Sequence, residues 1–471
     1  MVITIPKSTA LISPYLRGFL VAFAAFLYQA MLGVLYIWGA ISIYVSSYFR
    51  QYKPEITTQE LGTFMPIRAV LLMILMPSGT FMEKKYGPRP VIAIGAIGMT
   101  TCAFALAYVK SPTLFIIILS LGFGLPTIGF YVPIMCVWKY FPGRRSILTG
   151  LSVCGFSLGP LVFSYICHMI VNPNDIPPKE YNYGAIKQYY FEEEVYSNVP
   201  KLFITLSIIW GIIFCYIVFA VQNPSKEYCD ALALIREAEG RRRSTCDESN
   251  QCPDVATALK HRTFWIFATL LTIATWNDFI FGLAYKEIGF NYQYSDSYLT
   301  LVGILYSIAN ATGRISWGII TQKYPFVTCY QLILVGQTFF PLTLAVVARS
   351  PLLYVLWIML STLFTSGNFV VFAPLTMKIY GLKCGETIYT LVATSFAVGA
   401  FVLYFMNTFV LPYIGYKLML ELVGIISAFG YILLWMAELK PDWNKQNTKK
   451  EKPSIPMLDI ENGNKSNLLE M

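Results

Sequence analysis

The sequence predicts an all-α polytopic membrane protein with twelve transmembrane helices in two pseudo-symmetric six-helix bundles. Of its 471 residues 56% are hydrophobic, only 13% are charged, and long apolar stretches recur along the chain. A soluble fold needs more charge on its surface than this chain can supply. Each stretch is long enough to cross the hydrocarbon as a helix, which takes about 20 residues. The predicted spans run over approximately 17–46, 61–82, 90–109, 112–138, 146–170, 202–221, 263–285, 297–321, 328–348, 352–377, 387–411 and 416–438.

Charge distribution predicts the orientation of these spans. Basic residues such as Lys84, Arg144 and Lys378 fall in loops on the side shared by both chain ends, so the positive-inside rule puts both termini in the cytosol. The loop over 172–200 carries the acidic run 192–194, which suits the other side of the membrane. The net charge of +9 is therefore a topology signal and not the mark of a nucleic-acid partner. The sequence leaves open whether the membrane is the plasma membrane or that of an organelle.

Composition divides the chain into four segments. Residues 1–221 and 263–439 form the N-terminal and C-terminal bundles, and the polar, basic stretch 222–262 is predicted to be a cytosolic linker. From residue 440 the chain is rich in Lys, Asn, Glu and Pro, which predicts a disordered cytosolic tail. One chain is expected to act as a monomer in the lipid bilayer.

An arginine inside the eighth span is the strongest functional signal. Arg314 lies about eight residues from the polar flank at Gln322, hence roughly 12 Å into a hydrocarbon core about 30 Å thick. Guanidinium cannot shed its charge, so it must face a partner, water or an anionic ligand. Arg314 is therefore the predicted anchor of an organic-anion site. The alternative is a structural charge that pairs with a helix end or a carboxylate.

Two further charged residues lie inside predicted spans. Arg68 in the second span is roughly 12 Å deep from the other face, and it is either a second cation of the site or an arginine that snorkels to the surface. Asp278 in the seventh span is roughly 22 Å from the cytosolic face. It is a candidate for coupling or gating, because an intramembrane acid can carry a proton or lock against Arg68. A purely structural ion pair remains the alternative.

Polar and aromatic residues within the spans complete the predicted substrate site. Such side chains shape a cavity or, alternatively, pack with their polar atoms bonded to neighbouring helices. The candidates are Tyr28, Gln29, Tyr36, Trp38, Trp276, Asn277, Tyr389 and Thr390.

The fourth span is interrupted by Pro126, Gly129 and Pro133. The tenth span repeats this pattern more weakly with Gly367 and Pro374. Broken helices in corresponding places of two halves indicate moving gates, with a static kink as the alternative.

An internal repeat relates the two halves. The second span ends in a charged turn with Gly79, Glu83, Lys84, Gly87 and Arg89. The eighth span ends in a similar turn that begins at Gly318, 239 residues after its counterpart. A repeat of half the chain predicts a site at the interface of the halves, near the membrane midplane.

These motifs resemble the major facilitator superfamily, and within it the oxalate/formate antiporter and monocarboxylate transporter group. The turn over 79–89 is similar to the loop signature of the superfamily, and 141–159, 258–265 and 313–318 resemble parts of the group's fifth, seventh and eighth helices. The resemblance implies transport by alternating access. It matches the group's eighth-helix arginine at Arg314.

The chain departs from the group at two positions. Animal-type monocarboxylate transporters have a lysine in the first helix, where this chain has Ala40. Oxalate transporters have a lysine in the eleventh helix, and 387–411 contains none. The substrate is therefore less sharply implied than the fold.

The resulting hypothesis is a secondary transporter of small mono- or dicarboxylates that works as an antiporter or a proton symporter. No metal or cofactor is expected. A membrane enzyme is disfavoured because the chain has only two histidines, His168 and His261, for acid–base or metal chemistry. The alternatives are a non-transporting sensor or scaffold on a transporter fold, and a carrier of a non-carboxylate solute.

Overall fold

The computed structural model describes residues 14–174, 176, 178–183, 186–230, 252–290, 292–294, 296–439, 441 and 443. Long helical segments, numbered α1 to α12 in chain order, make up most of this part of the chain. Their bounds are α1, Pro14–Gly33, Val34–Ile37 and Trp38–Arg50; α2, Phe64–Tyr86; α3, Pro88–Leu106; α4, Pro112–Gly124, Leu125–Gly129 and Val132–Tyr140; α5, Arg145–Val171; α6, Val199–Ala220; α7, Arg262–Phe290; α8, Asp296–Lys323; α9, Phe326–Val347; α10, Pro351–Gly381; α11, Cys384–Phe405; and α12, Leu411–Met436. Short helices occur at Thr58–Leu61, Glu193–Tyr196 and Val255–Lys260.

The helices confirm an all-α polytopic membrane fold. Within the described residues, eleven segments are long and apolar enough to cross a membrane. Helix α8 is 28 residues long but is less apolar than these, because it carries Asn310, Arg314 and Lys323. Large side chains such as Phe219 and Trp435 are 77% and 87% exposed, as expected of surfaces that face lipid.

Two helix breaks confirm the internal repeat at the level of structure. Helix α4 changes to a 3-10 turn over Leu125–Gly129, and α10 is interrupted between Thr365 and Asn368. The offset of 239 residues that relates Gly79 to Gly318 carries 125–129 onto 364–368. The chain therefore breaks the same helix at the same place in each half.

The two halves, α1–α6 and α7–α12, meet along a few helices. Helix α5 packs along α8, and α2 packs against α11. We call the end of the bundle at which α1 begins and α12 ends the terminal face, and the other end the opposite face.

The loop between α5 and α6 contains a two-stranded antiparallel hairpin that the sequence analysis did not predict. Its strands are β1, Lys179–Tyr183, and β2, Ile186–Tyr190. The Tyr190 hydroxyl donates a hydrogen bond of 2.6 Å to the Ile56 carbonyl, and the Arg50 guanidinium lies 4.4 Å from the centre of its ring. These contacts hold the hairpin at the opposite face, beside the end of α1.

Trp443 lies in the segment from residue 440 onward that the sequence predicts to be a disordered tail, and it packs against the C-terminal half. The side chain is fully buried, and its indole Nε1 donates to the Ile379 carbonyl at 2.9 Å. The ring packs 5.1 Å from the His261 ring and 5.5 Å from the Tyr380 ring. The remainder of the tail and the middle of the predicted linker lie outside the described residues.

Gly79 permits a backbone contact between α2 and α4. A Cβ atom at this position would lie 1.6 Å from the Ile128 carbonyl oxygen, which belongs to the 3-10 turn of α4. We expect Gly79→Ala to destabilise the protein by about 1 to 3 kcal/mol, because the clash exceeds the gain in helix propensity. The measurement is the melting temperature of the detergent-purified variant.

Gly211→Ala is the matched control for Gly79→Ala. Its added Cβ would meet only Thr100, at 3.9 Å, so its melting temperature should stay at or slightly above that of the unmodified protein. Equal melting temperatures for the two variants would contradict the close contact between α2 and α4.

Candidate functional site

A cavity of about 1110 Å³ lies between the two halves. Its walls come from α1, α5, α7 and α8, with Met65 added from α2. Arg314 and Asn310 line its inner part, and His168 and Tyr285 line it near the opposite face. The cavity therefore extends from the middle of the bundle toward the opposite face.

Arg314 is held in this cavity by neutral groups. Its Nε donates to the Asn310 side-chain oxygen at 2.8 Å, and its Nη1 donates to the Val153 carbonyl at 2.8 Å. The guanidinium carbon lies 4.5 Å and 5.3 Å from the ring centres of Phe369 and Phe156, within cation–π range. None of these partners carries a negative charge, so no ion pair with a described residue occupies the guanidinium.

One end of the Arg314 guanidinium is available to a ligand. The residue as a whole is only 2% exposed, yet within the described part of the chain its Nη2 makes no hydrogen bond. Nη2 together with the remaining N–H of Nη1 forms a fork that fits a carboxylate, which accepts two parallel N–H bonds. The arrangement can therefore bind an anion without first breaking an ion pair.

Asp278 is the acidic residue of the cavity. Its Oδ1 accepts hydrogen bonds of 3.3 Å from the hydroxyls of Tyr306 and Thr365. Its charge interacts with that of Arg314, but no direct ion pair joins these two described side chains. Its Oδ2 makes no hydrogen bond to any described residue, which leaves this oxygen open to a proton.

Tyr36 and Trp38, two of the predicted substrate-site residues, line the cavity. The Tyr36 ring packs 5.7 Å from that of Phe156, and the Trp38 ring packs 5.0 Å from that of Phe64. Ala40 also lines the cavity, so the position that the resemblance matches to a lysine carries no charge in this chain.

Tyr28, Gln29, Trp276 and Asn277 lie outside the cavity wall. The Tyr28 hydroxyl donates to the Pro126 carbonyl at 2.5 Å, and the Gln29 amide donates to the Phe130 carbonyl at 2.7 Å. These bonds satisfy carbonyls that the broken helix α4 leaves free. Asn277 donates to the Gln337 carbonyl, and Trp276 is buried in the apolar core of the C-terminal half. The structure thus gives these residues packing contacts.

Arg68 also lies outside the cavity wall. Its Nε donates to the Phe123 carbonyl at 3.2 Å, next to the break in α4, and its charge interacts with Tyr36. Arg68 therefore stays near the cavity but bonds to the backbone of its own half.

Tyr389 and Thr390 belong to a layer that separates the cavity from the terminal face. The Tyr389 hydroxyl donates to that of Tyr131 at 2.8 Å, and Thr80 donates to Thr390 at 3.2 Å. Each bond joins one half to the other. The two halves are thus in contact on the terminal side of the cavity.

The loop signature extends this closure. Lys84 donates to the Thr387 hydroxyl at 2.8 Å across the halves, and Glu83 forms an ion pair of 3.0 Å with Lys139 within the N-terminal half. Arg89 donates to the Phe219 carbonyl at 3.0 Å, and Gly87 has a φ of 82°, a left-handed conformation that favours glycine.

The predicted gating residues occupy the break in α4. Pro126 and Gly129 lie in its 3-10 turn, and Pro133 begins the helix that follows. A Cβ on Gly129 would lie 2.3 Å from the Tyr28 hydroxyl, so the glycine makes room for that ring.

Sequence reasoning missed several residues of the site. Asn310 accepts a hydrogen bond from Arg314, Ser157 donates one to Asn310, and Phe156 contributes its ring. Asn310 lies one helical turn before Arg314, a spacing that puts both on one side of α8 and was available as a signal. Ser157 and Phe156 carried no such signal, because their proximity depends on how α5 packs on α8.

Comparison with known proteins identifies the fold. A solved structure described as the MFS (major facilitator superfamily) proton:xylose symporter XylE bound to 6-bromo-6-deoxy-D-glucose superposes with a TM-score of 0.70 at 12% identity, covering 93% of this chain and 100% of that chain. The family model of the Major Facilitator Superfamily matches residues 266–466. The chain has the major facilitator superfamily fold. The proteins it resembles are membrane transporters and not enzymes.

Curated proteins of similar sequence include a pyruvate carrier and a monocarboxylate transporter. Apicoplast pyruvate carrier 1 of Toxoplasma gondii is 27% identical over an alignment of 436 residues, and the match covers 77% of this chain and 78% of that protein. Monocarboxylate transporter 13 of Bos taurus and of Rattus norvegicus is 24% identical over 160 residues, 33% of this chain and 36% of that protein.

Proposed function

We propose that this transporter carries a small monocarboxylate across its membrane by alternating access, with Arg314 as the anion anchor. The observation that carries the proposal is the Arg314 guanidinium, which is bonded only to neutral acceptors and whose Nη2 has no hydrogen-bond partner among the described residues. A buried, uncompensated charge is costly unless a ligand or water pairs with it. A carboxylate would supply both the charge and the geometry.

The contacts around the cavity support a state of the transport cycle that is open toward the opposite face. The bonds of Tyr389, Thr390 and Lys84 join the halves on the terminal side, so release there requires these bonds to break. The positive-inside pattern supports a cytosolic terminal face. On this proposal the carrier accepts its anion from the non-cytosolic side in the state described.

The similarity to a pyruvate carrier supports pyruvate as the first test substrate. Aromatic walls that include Tyr36, Trp38 and Phe156 suit a short organic acid with an apolar part. Proton symport and anion exchange are both compatible with a cavity that contains Asp278.

A thermal-shift and uptake experiment tests the substrate class. Purified protein is heated with pyruvate and with pyruvamide, a neutral molecule of nearly the same shape. Pyruvate at a hundredfold excess over its Kd should stabilise the protein by about 2.7 kcal/mol, and pyruvamide should not. Proteoliposomes should then take up labelled pyruvate in a saturable way that lactate inhibits.

Three outcomes would contradict the proposal. Equal stabilisation by pyruvamide would show that the site does not distinguish a charged ligand from a neutral one. Uptake of xylose but not of pyruvate would favour a carrier of a non-carboxylate solute. Stabilisation by pyruvate without any flux would favour a sensor built on a transporter fold.

A further inference from the structure

Asn310 links the Arg314 side chain to the other half of the molecule. Its Oδ1 accepts from Arg314 Nε at 2.8 Å and from the Ser157 hydroxyl at 2.7 Å. Its Nδ2 donates to the Thr362 hydroxyl at 3.2 Å. A carbonyl oxygen has two lone pairs, so these two donors fully use the acceptor capacity of Oδ1. The Asn310 side chain is thus fixed in one orientation.

The neutral charge of Asn310 matters because of its distance from Arg314. An aspartate has the same shape as an asparagine, but at 2.8 Å its carboxylate would form an ion pair with the guanidinium. A substrate anion would then have to compete with that internal carboxylate. The amide gives the same positional restraint without this competition.

The hydrogen bonds of this group cross the boundary between the halves. Ser157 and Val153 lie one turn apart on α5, whereas Asn310 and Arg314 lie one turn apart on α8. Each α5 residue contacts one α8 residue, so the orientation of the cation is set by both halves together. Movement of α5 relative to α8 would remove both restraints.

We infer that Asn310 is a positioning residue that holds Arg314 turned toward the cavity without an ion-pair partner in the described part of the chain, and that Ser157 makes this position depend on how the halves are placed. Affinity for the anion is thereby coupled to the conformational state: it is high while the Ser157–Asn310 bond exists and falls when α5 moves away. This inference rests on the proposed function, since it assigns the coupling to the same anion site.

The first test replaces Asn310 with aspartate and measures pyruvate uptake in proteoliposomes. We expect KM to rise by about tenfold or more with little change in the maximal rate, because the new carboxylate competes with the substrate. Thr312→Ala is the control, since Thr312 is exposed on the same helix and bonds only to its own backbone. A KM for Asn310→Asp within the error of the unmodified value would overturn the inference.

The second test removes and then restores the hydroxyl of Ser157. Ser157→Ala should raise KM by about threefold or more through loss of one hydrogen bond, and Ser157→Thr should restore it because threonine keeps the donor. A general packing defect would not be rescued by the larger threonine. Equal KM values for the alanine and threonine variants would reject the link between the halves.

The two levels of the proposal fail in different ways. If Arg314→Gln loses uptake while Asn310→Asp keeps a normal KM, the anion site stands and the positioning role is wrong. If the unmodified protein takes up no pyruvate, the proposed function and this inference fail together.

Discussion

Arg314→Gln is expected to reduce carboxylate uptake to background while leaving membrane insertion normal. Glutamine keeps part of the length and one amide, so a bond to Val153 or Asn310 can persist, but the charge and the fork are lost. A charge-assisted pair of bonds in a water-poor site contributes about 3 kcal/mol, which is roughly a hundredfold in affinity. The measurement is initial-rate uptake of labelled pyruvate into proteoliposomes that contain equal amounts of each protein.

Two further variants show whether the loss in Arg314→Gln is due to the missing charge, to the missing guanidinium geometry or to a general defect of the protein. Arg314→Lys keeps the charge but presents a single ammonium, so we expect weak uptake with a raised KM. Arg68→Gln removes the other deep arginine, whose described hydrogen bond goes to the Phe123 carbonyl and not into the cavity, and most of the activity should remain. Uptake at the normal rate by Arg314→Gln would show that Arg314 does not anchor the anion. Loss of uptake in Arg68→Gln alone would indicate that the anion site lies at α2.

Asp278→Asn is expected to abolish accumulation driven by a pH gradient while sparing counterflow exchange. Asp278 shares the cavity with Arg314, and its Oδ2 makes no hydrogen bond to a described residue. A negative charge there opposes anion binding, and protonation removes that opposition, so proton and anion affinities are linked. Asparagine imitates the protonated acid permanently. The loaded carrier should still reorient, but no proton would accompany it.

The assay compares uptake against an imposed pH gradient with exchange at equal pH on both sides. Glu421→Gln is the matched control, because Glu421 is a membrane-segment acid whose described ion-pair partner is Lys417, at 4.0 Å, far from the cavity wall. Unchanged dependence on the pH gradient in Asp278→Asn would exclude this residue from coupling. Loss of both accumulation and exchange would indicate that Asp278 is needed for the movement itself.

Much of the candidate site could be predicted from the sequence, because charged residues are rare inside membrane segments. Arg314 and Asp278 stand out against apolar neighbours, and both line the cavity. Aromatic residues gave a weaker signal: Tyr36 and Trp38 line the cavity, whereas Tyr28 bonds to the break in α4. A tyrosine serves a cavity wall and a helix contact equally well, so residue type alone does not separate the two.

Local chemistry also left parts of the fold undetermined. The hairpin between α5 and α6 depends on the Tyr190 contact with Ile56, a residue 134 positions earlier. Trp443 lies in a polar, charged stretch whose composition predicts a disordered tail. Its side chain is nevertheless buried, because it packs against the Tyr380 ring of a distant helix. Both features rest on contacts between segments far apart in sequence.

By itself the sequence determined the multi-pass membrane character, the helical class and the twofold repeat. It also predicted the depth of Arg314, because hydrocarbon thickness and helix rise convert residue counts into position. Only the tertiary structure decided which groups surround that arginine. Helix packing brings Ser157 and Val153 from one half to Asn310 and Arg314 of the other, and the Tyr131–Tyr389 contact closes one side of the cavity. These are interactions between helices, and their geometry depends on how two six-helix bundles are placed against each other.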